Sequence, residues 1–198
     1  MKTALLFSAA CLVPCLVGCR KSPSTGDFPR VFAQGEHAFH NGNYDLAIDR
    51  YTEAIRLNPD CAKAYSRRGA AFGSKGDYDK AIADMTQALE HKPDYARAYY
   101  NRGIARKSKS DYDTAIADYT DALRLDPEDV DGYCARASAY EHKGRYDEAI
   151  ADYTQAIYLR PDYASMYHLR GLAYRSKGER DRAEADFARA KKLGYKPD

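Results

Sequence analysis

Tryptophan is absent from the 198-residue sequence, methionine occurs three times, and no long stretch carries charge of one sign. The 31 basic and 29 acidic residues are interspersed and leave a formal charge of +2, so no one-signed field favours nucleic acid as a partner. No apolar run reaches the roughly 20 residues that a membrane-spanning helix needs; the apolar stretch within residues 1–18 is broken by Pro14. Catalytic signatures are missing too. There is no Gly-rich phosphate loop, no nucleophile motif and no cluster at metal-ligand spacing, so neither enzymatic activity nor a cofactor is expected. His37 and His40 beside Glu36 come nearest to a metal site, and solvated helix histidines account for them. Of the five cysteines only Cys61 and Cys134 lie beyond residue 19, and their wide separation hardly makes a disulfide framework. A mean hydropathy of −0.70 suits an elongated fold in which every layer stays near solvent, while the regular recurrence of Tyr, Ile, Leu and Ala excludes a disordered chain.

The amino terminus carries an address. Residues 1–18, MKTALLFSAACLVPCLVG, combine one Lys, an apolar run and no acidic residue, the pattern of an export signal. The next step rests on Leu16-Val17-Gly18-Cys19, which resembles the lipobox of bacterial lipoproteins. That resemblance implies cleavage just before Cys19, lipid on its thiol, a linker over residues 19–27, and a place in the cell envelope. Arg20 after the Cys favours, by resemblance to Gram-negative lipoproteins, the outer membrane facing the periplasm. The alternative, an ordinary secretory signal cleaved near Ser8-Ala9-Ala10, leaves too short an apolar region. Cys11 and Cys15 leave with the signal, and Cys61 and Cys134 remain in the body of the protein.

From residue 28 onward one period governs the chain. Pro59, Pro93, Pro127 and Pro161 lie 34 residues apart, as do Gly35, Gly69 and Gly103, with Ala137 and then Gly171 continuing the column. Ala47, Ala81, Ala115, Ala149 and Ala183 form another column, and Tyr44, Tyr78, Tyr112 and Tyr146 a third. Within one period Tyr65, Gly69 and Phe72 share one helical face, Gly76-Asp77 marks a turn, and Ala81, Ile82, Met85, Ala88 and Leu89 form an apolar stripe. Pro93 ends the second helix. Each period is an antiparallel helix hairpin that cannot bury its own apolar face, so hairpins must stack.

Tyr65-x2-Arg68-Gly69-x2-Phe72, then Ala81-x3-Met85 and Pro93, resembles the tetratricopeptide repeat (TPR). The resemblance implies an all-α fold, a right-handed α-solenoid of five TPR helix hairpins spanning 28–61, 62–95, 96–129, 130–163 and 164–197. Departures are local: Val31 stands where later units have Tyr, and Arg106 replaces an aromatic in unit three. The Leu before the repeat Gly is Arg in units two to five, as Arg68, Arg102, Arg136 and Arg170. The second helices of those units carry Asp84, Asp118, Asp152 and Asp186, while unit one has Gln34 and Arg50. This joint absence predicts an ion pair inside each unit; a pair across units would set Arg50 against Arg68. Unit five ends the array, because the apolar columns Ile48–Ile82–Ile116–Ile150 and Ile55–Leu89–Leu123–Ile157 become Glu184 and Lys191.

The TPR resemblance places binding on the concave face, lined by the first helix of each unit. By register this assigns Phe32, Glu36 and Phe39 from unit one, Lys63 and Arg67 from unit two, and Arg97, Tyr100, Asn101 and Lys107 from unit three. Glu141 from unit four, and His168 and Arg175 from unit five, complete the groove. Four cations around Tyr100 and Asn101, with Phe32 and Phe39 next door, suit a peptide carrying acidic groups. The carboxylate clamp of chaperone-binding TPR proteins is missing, since only Asn101 matches it. The expected function is an anchored, non-enzymatic scaffold or adaptor for a protein or peptide partner; the alternative is a homo-oligomeric scaffold without a groove ligand.

Overall fold

The structure, a computed structural model, describes residues 27–196. The signal, Cys19, the linker up to residue 26 and Pro197 lie outside the described residues. Ten helices follow one another: α1 (Phe28–His40), α2 (Tyr44–Leu57), α3 (Ala62–Ser74), α4 (Tyr78–His91), α5 (Ala96–Ser108), α6 (Tyr112–Leu125), α7 (Val130–His142), α8 (Tyr146–Leu159), α9 (Ala164–Lys177) and α10 (Arg180–Lys192). Among the described residues there is no strand and no helix long and apolar enough to cross a membrane. Each odd helix packs on the even helix that follows, each even helix packs on the next odd one, and α1–α3, α3–α5 and α5–α7 also touch. The result is an all-α solenoid of five hairpins whose first helices line one face.

Local chemistry sets the ends of these helices. Asn43 and Asp77 accept the backbone N–H of Leu46 and Lys80 at the starts of α2 and α4, satisfying donors that the first turn leaves orphaned. At the far ends, Asn58, Lys92, Asp126 and Arg160 precede the four prolines and sit near φ −141°, −143°, −134° and −138°. Clash with the proline ring drives them there and stops the helix. The turn inside each hairpin needs a left-handed residue, which Gly supplies in four units; Ser110 supplies it in the third at φ 62°, at a steric cost that Gly does not bear.

The core is thin and built from small residues set against rings. Tyr51, Tyr119 and Tyr153 are fully or almost fully buried among alanines. A Cβ on Gly35 or Gly103 would stand 2.7 Å from the ring of Tyr51 or Tyr119, and one on Gly171 would stand 2.6 Å from Phe187. The repeat glycine therefore exists to let a ring lie flat on the first helix. In unit four Ala137 takes that place, and the Tyr153 hydroxyl reaches Glu141, about one turn further along its helix than Glu36, which serves Tyr51.

The ion pair expected inside each unit is present in all four. Arg68–Asp84 closes to 2.7 Å, and Arg102–Asp118, Arg136–Asp152 and Arg170–Asp186 each to 2.8 Å. The carboxylates are buried, and the Asp84 carboxylate in turn holds the Arg68 guanidinium above its ordinary pKa. Each arginine also reaches across the junction. Its Nη1 donates to Thr52, Thr86, Thr120 or Thr154 of the preceding unit, at 3.0–3.2 Å. The sequence reading confined this arginine to its own hairpin; the structure adds a hydrogen bond from the charged guanidinium to a neutral hydroxyl of the preceding hairpin. Arg106, the odd residue of unit three, is a second cation on Asp118 at 2.8 Å.

Candidate functional site

The first helices bring part of the expected groove together. Phe39 of α1, Ser66, Arg67 and Ala70 of α3, and Arg97 and Asn101 of α5 line a cleft of about 470 Å³. Phe39, Ala70 and Asn101 also border a second cleft of about 340 Å³, floored by Gly69, Gly73 and Ala81 and walled by Ile104. Small side chains on α3 create this hollow, because they leave uncovered the space between α1 and α5. Arg97 is exposed and Asn101 half-buried, and Arg97 has no ion-pair partner among the described residues.

The four-cation cluster expected here does not assemble. Arg67 is held by Glu36, with Nε 3.0 Å from Oε1, and the same Glu36 oxygen accepts from the Tyr51 hydroxyl at 2.6 Å. Burial, reinforced by that carboxylate, raises the Tyr51 pKa, so the phenol stays a donor. Arg67 Nε is nevertheless buried with its N–H donating to nothing. Lys63 lies over the Phe32 ring, and Phe32 itself packs on Phe28 and Tyr51. Lys107 turns toward unit four, with Nζ 3.4 Å from Ser138 Oγ. Tyr100 packs against Tyr119 at 5.9 Å, beside Ala135 and Tyr140. Repulsion among like charges and the pull of nearby acceptors disperse what linear register had gathered.

The remaining candidates sit elsewhere. Glu141 is spent on Tyr153 at 2.8 Å; burial pushes its carboxyl above the usual range, partly opposed by that hydrogen bond. His168 stacks on Tyr195 at 4.4 Å, and burial together with Arg175 pushes its pKa down. Arg175 lies over the Phe187 ring. Cys134 is half-buried against Met166, its thiol pushed up to about 12 by burial and nearby carboxylates, and it forms no disulfide. His40 and His37 are engaged by the Glu36 carbonyl and the Asn41 amide, and no three His, Cys, Asp or Glu side chains converge on a metal site among the described residues.

Family models described as tetratricopeptide or TPR repeats match residues 32–82, 71–110, 96–129, 118–151, 142–178 and 164–193, together spanning the helical array. The chain is a tetratricopeptide-repeat protein. Its TPR fold is similar to that of MamA, with 26% identity, a TM-score of 0.78, and coverage of 85% of this chain and 92% of that one. It is similar also to MamA from Desulfovibrio magneticus RS-1, at 19% identity and TM-score 0.79 over 86% and 97% of the two chains. YrrB, described as a TPR protein with an unusual peptide-binding site, superposes with TM-score 0.72 at 19% identity over 83% and 84%. A comparison with curated protein sequences finds no match.

In this TPR array the sequence reading overlooked the residues that shape the hollow. Ala70, Gly73 and Ile104 carry no chemistry that marks them in a linear sequence, and their importance lies in the volume they leave. The threonine column at Thr52, Thr86, Thr120 and Thr154 recurs with the period and stops at Ala188, where no following hairpin exists among the described residues. A second ladder, from Lys75, Lys109, Lys143 and Lys177 to Asp45, Asp79, Asp113 and Asp147 of the preceding hairpins, also joins units. These aspartates are mostly exposed, so each pair contributes at most about 1 kcal/mol.

Proposed function

We propose that this TPR protein is a lipid-anchored scaffold of the bacterial cell envelope that holds an extended peptide of a partner protein across α1, α3 and α5. The observation that carries the reading is the pair of clefts sharing Phe39, Ala70 and Asn101. Phe39 and Ile104 offer apolar contact, and the Asn101 amide can both donate to and accept from a peptide backbone. Arg97, exposed at the rim of the first cleft, suits a carbonyl or carboxylate on the ligand. Pockets of this kind, apolar with a few convergent polar groups, are typical ligand sites, and YrrB, which shares the fold, is described as a TPR protein with an unusual peptide-binding site. The anchor is Cys19 within the lipobox-like Leu16-Val17-Gly18-Cys19, and the nine residues to the first helix reach about 30 Å, which keeps the array beside its membrane.

Photo-crosslinkers at Arg97 and Ile104 in intact cells test the groove, with Tyr158, 79% exposed on α8, as the control. One envelope protein captured from the two groove positions and not from Tyr158 is the expected result. Crosslinks only between copies of this chain overturn the reading in favour of a homo-oligomeric scaffold. Cys19→Ser tests the anchor separately: the protein is expected to leave the membrane fraction, and its retention there refutes lipid attachment at this residue.

A further inference from the structure

A cleft of about 680 Å³ opens at the C-terminal end of the array, lined by His168, Arg175, Phe187, Lys191, Tyr195 and Lys196. Counting back one period, the first five of these correspond to Cys134, Glu141, Tyr153, Ile157 and Pro161. In unit four that place is filled by the next hairpin: Met166 of α9 packs on Cys134 and Ile157, and Leu169 on Tyr153. The cleft is therefore the counterpart, one period on, of the seat that α9 fills, and no helix occupies it among the described residues.

Closing a solenoid requires only that the last seat be polar. This one is cationic. Glu141 is replaced by Arg175 and Ile157 by Lys191, Lys196 is added, and no acidic residue is among those lining the cleft. None of the three cations has an ion-pair partner among the described residues. The helix dipole does not call for them all, since the last carbonyls of α10 are already capped by the N–H groups of Leu193, Gly194 and Tyr195. Between the cations lies an aromatic floor, with Tyr195 stacked on His168, His168 against Phe187 at 5.4 Å, and Arg175 over Phe187 at 5.6 Å.

We infer that this cleft is a second binding site, which takes an acidic peptide segment of a partner protein. An apolar side chain of the peptide enters between Phe187 and Tyr195, and flanking carboxylates meet Arg175, Lys191 and Lys196. Unpaired cations around an apolar hollow select carboxylates next to a ring or aliphatic group, and they repel basic segments. The site is independent of the groove over α1, α3 and α5.

The test is fluorescence anisotropy of the protein with a labelled synthetic peptide, a central Phe flanked by Asp and Glu, against the same peptide with Ser and Gln flanks. Saturable binding of the acidic peptide is expected, weakening as salt is raised. The double variant Arg175→Glu, Lys191→Glu is expected to weaken it by at least roughly tenfold; both side chains are exposed, and circular dichroism verifies the fold. Arg56→Glu, at an exposed cation on α2 that lines neither cleft, is expected to leave binding unchanged. Equal binding of the neutral peptide, undiminished binding by the double variant, loss on Arg56→Glu, or no saturable binding would each overturn the proposal. Binding to phosphatidylglycerol vesicles without binding to the peptide would overturn it in favour of a membrane surface.

Discussion

Tyr51 and Tyr119 lie over their glycines in nearly the same pose, yet their hydroxyls meet different fates. Tyr51 donates to Glu36, whereas the residue one period-pair later is Ile104 and the Tyr119 hydroxyl is buried without a partner. An unmade buried hydrogen bond costs more than its absence. Tyr119→Phe is thus expected to be neutral or stabilising, and Tyr51→Phe to cost about 1–2 kcal/mol, as read from urea midpoints. Glu141 gives a pH-dependent counterpart. Its folded pKa is raised from 4.5 mainly by burial, so its contribution is full below the unfolded value and is lost as pH rises through the folded one. Thermal melts are expected to show Glu141→Gln gaining on the parent chain between mild acid and neutrality. Both carboxylates read as groove residues in the sequence, because a polar side chain on a first helix shows its face and not its partner. The tyrosines that claim them stand in columns that read as core. The turn residue Ser110, at φ 62°, is similarly open to test: Ser110→Gly is expected to stabilise by about 1 kcal/mol in equilibrium unfolding.

At the level of helices, the arginine that replaces the usual Leu does two jobs. Removing its carboxylate by Asp152→Ala leaves Arg136 part-buried without its counter-ion and is expected to cost about 3 kcal/mol. Thr120→Val removes the hydrogen bond to the same Arg136 across the junction and is expected to cost about 1 kcal/mol. Hydrogen exchange separates the two roles: the threonine change is expected to loosen the α6–α7 junction while leaving the α7–α8 hairpin protected. The ion pair was legible because unit one lacks both partners at once. The threonine was not, because its column runs through units one to four and that of the arginine through units two to five, an offset that only stacking explains. The groove was legible to the same degree: register placed Phe39, Arg67, Arg97 and Asn101 on one face, where they do meet. Register could not foresee that Glu36 would neutralise Arg67 or that Lys107 would lean toward unit four.

For the molecule as a whole, every cluster of buried residues joins neighbouring hairpins and none spans the array. Stability is then a sum over junctions, and the ends decide solubility. A chain ending at Tyr163 uncovers Ile150 and Ile157, which now pack against α9 residues, and light scattering is expected to show it self-associating where the full chain does not. The arginine contacts bear on how such a molecule comes to have its length. Each middle hairpin presents a threonine socket on one side and an arginine plug on the other, while its plug is neutralised by its own aspartate. A copy of any middle hairpin, spliced in beside its parent, finds both fittings waiting and introduces no stray charge. The first hairpin has a socket and no plug, and the last, with Ala188, a plug and no socket. A protein wired this way lengthens by duplication from within, and its two terminal pieces remain terminal however many hairpins accumulate between them.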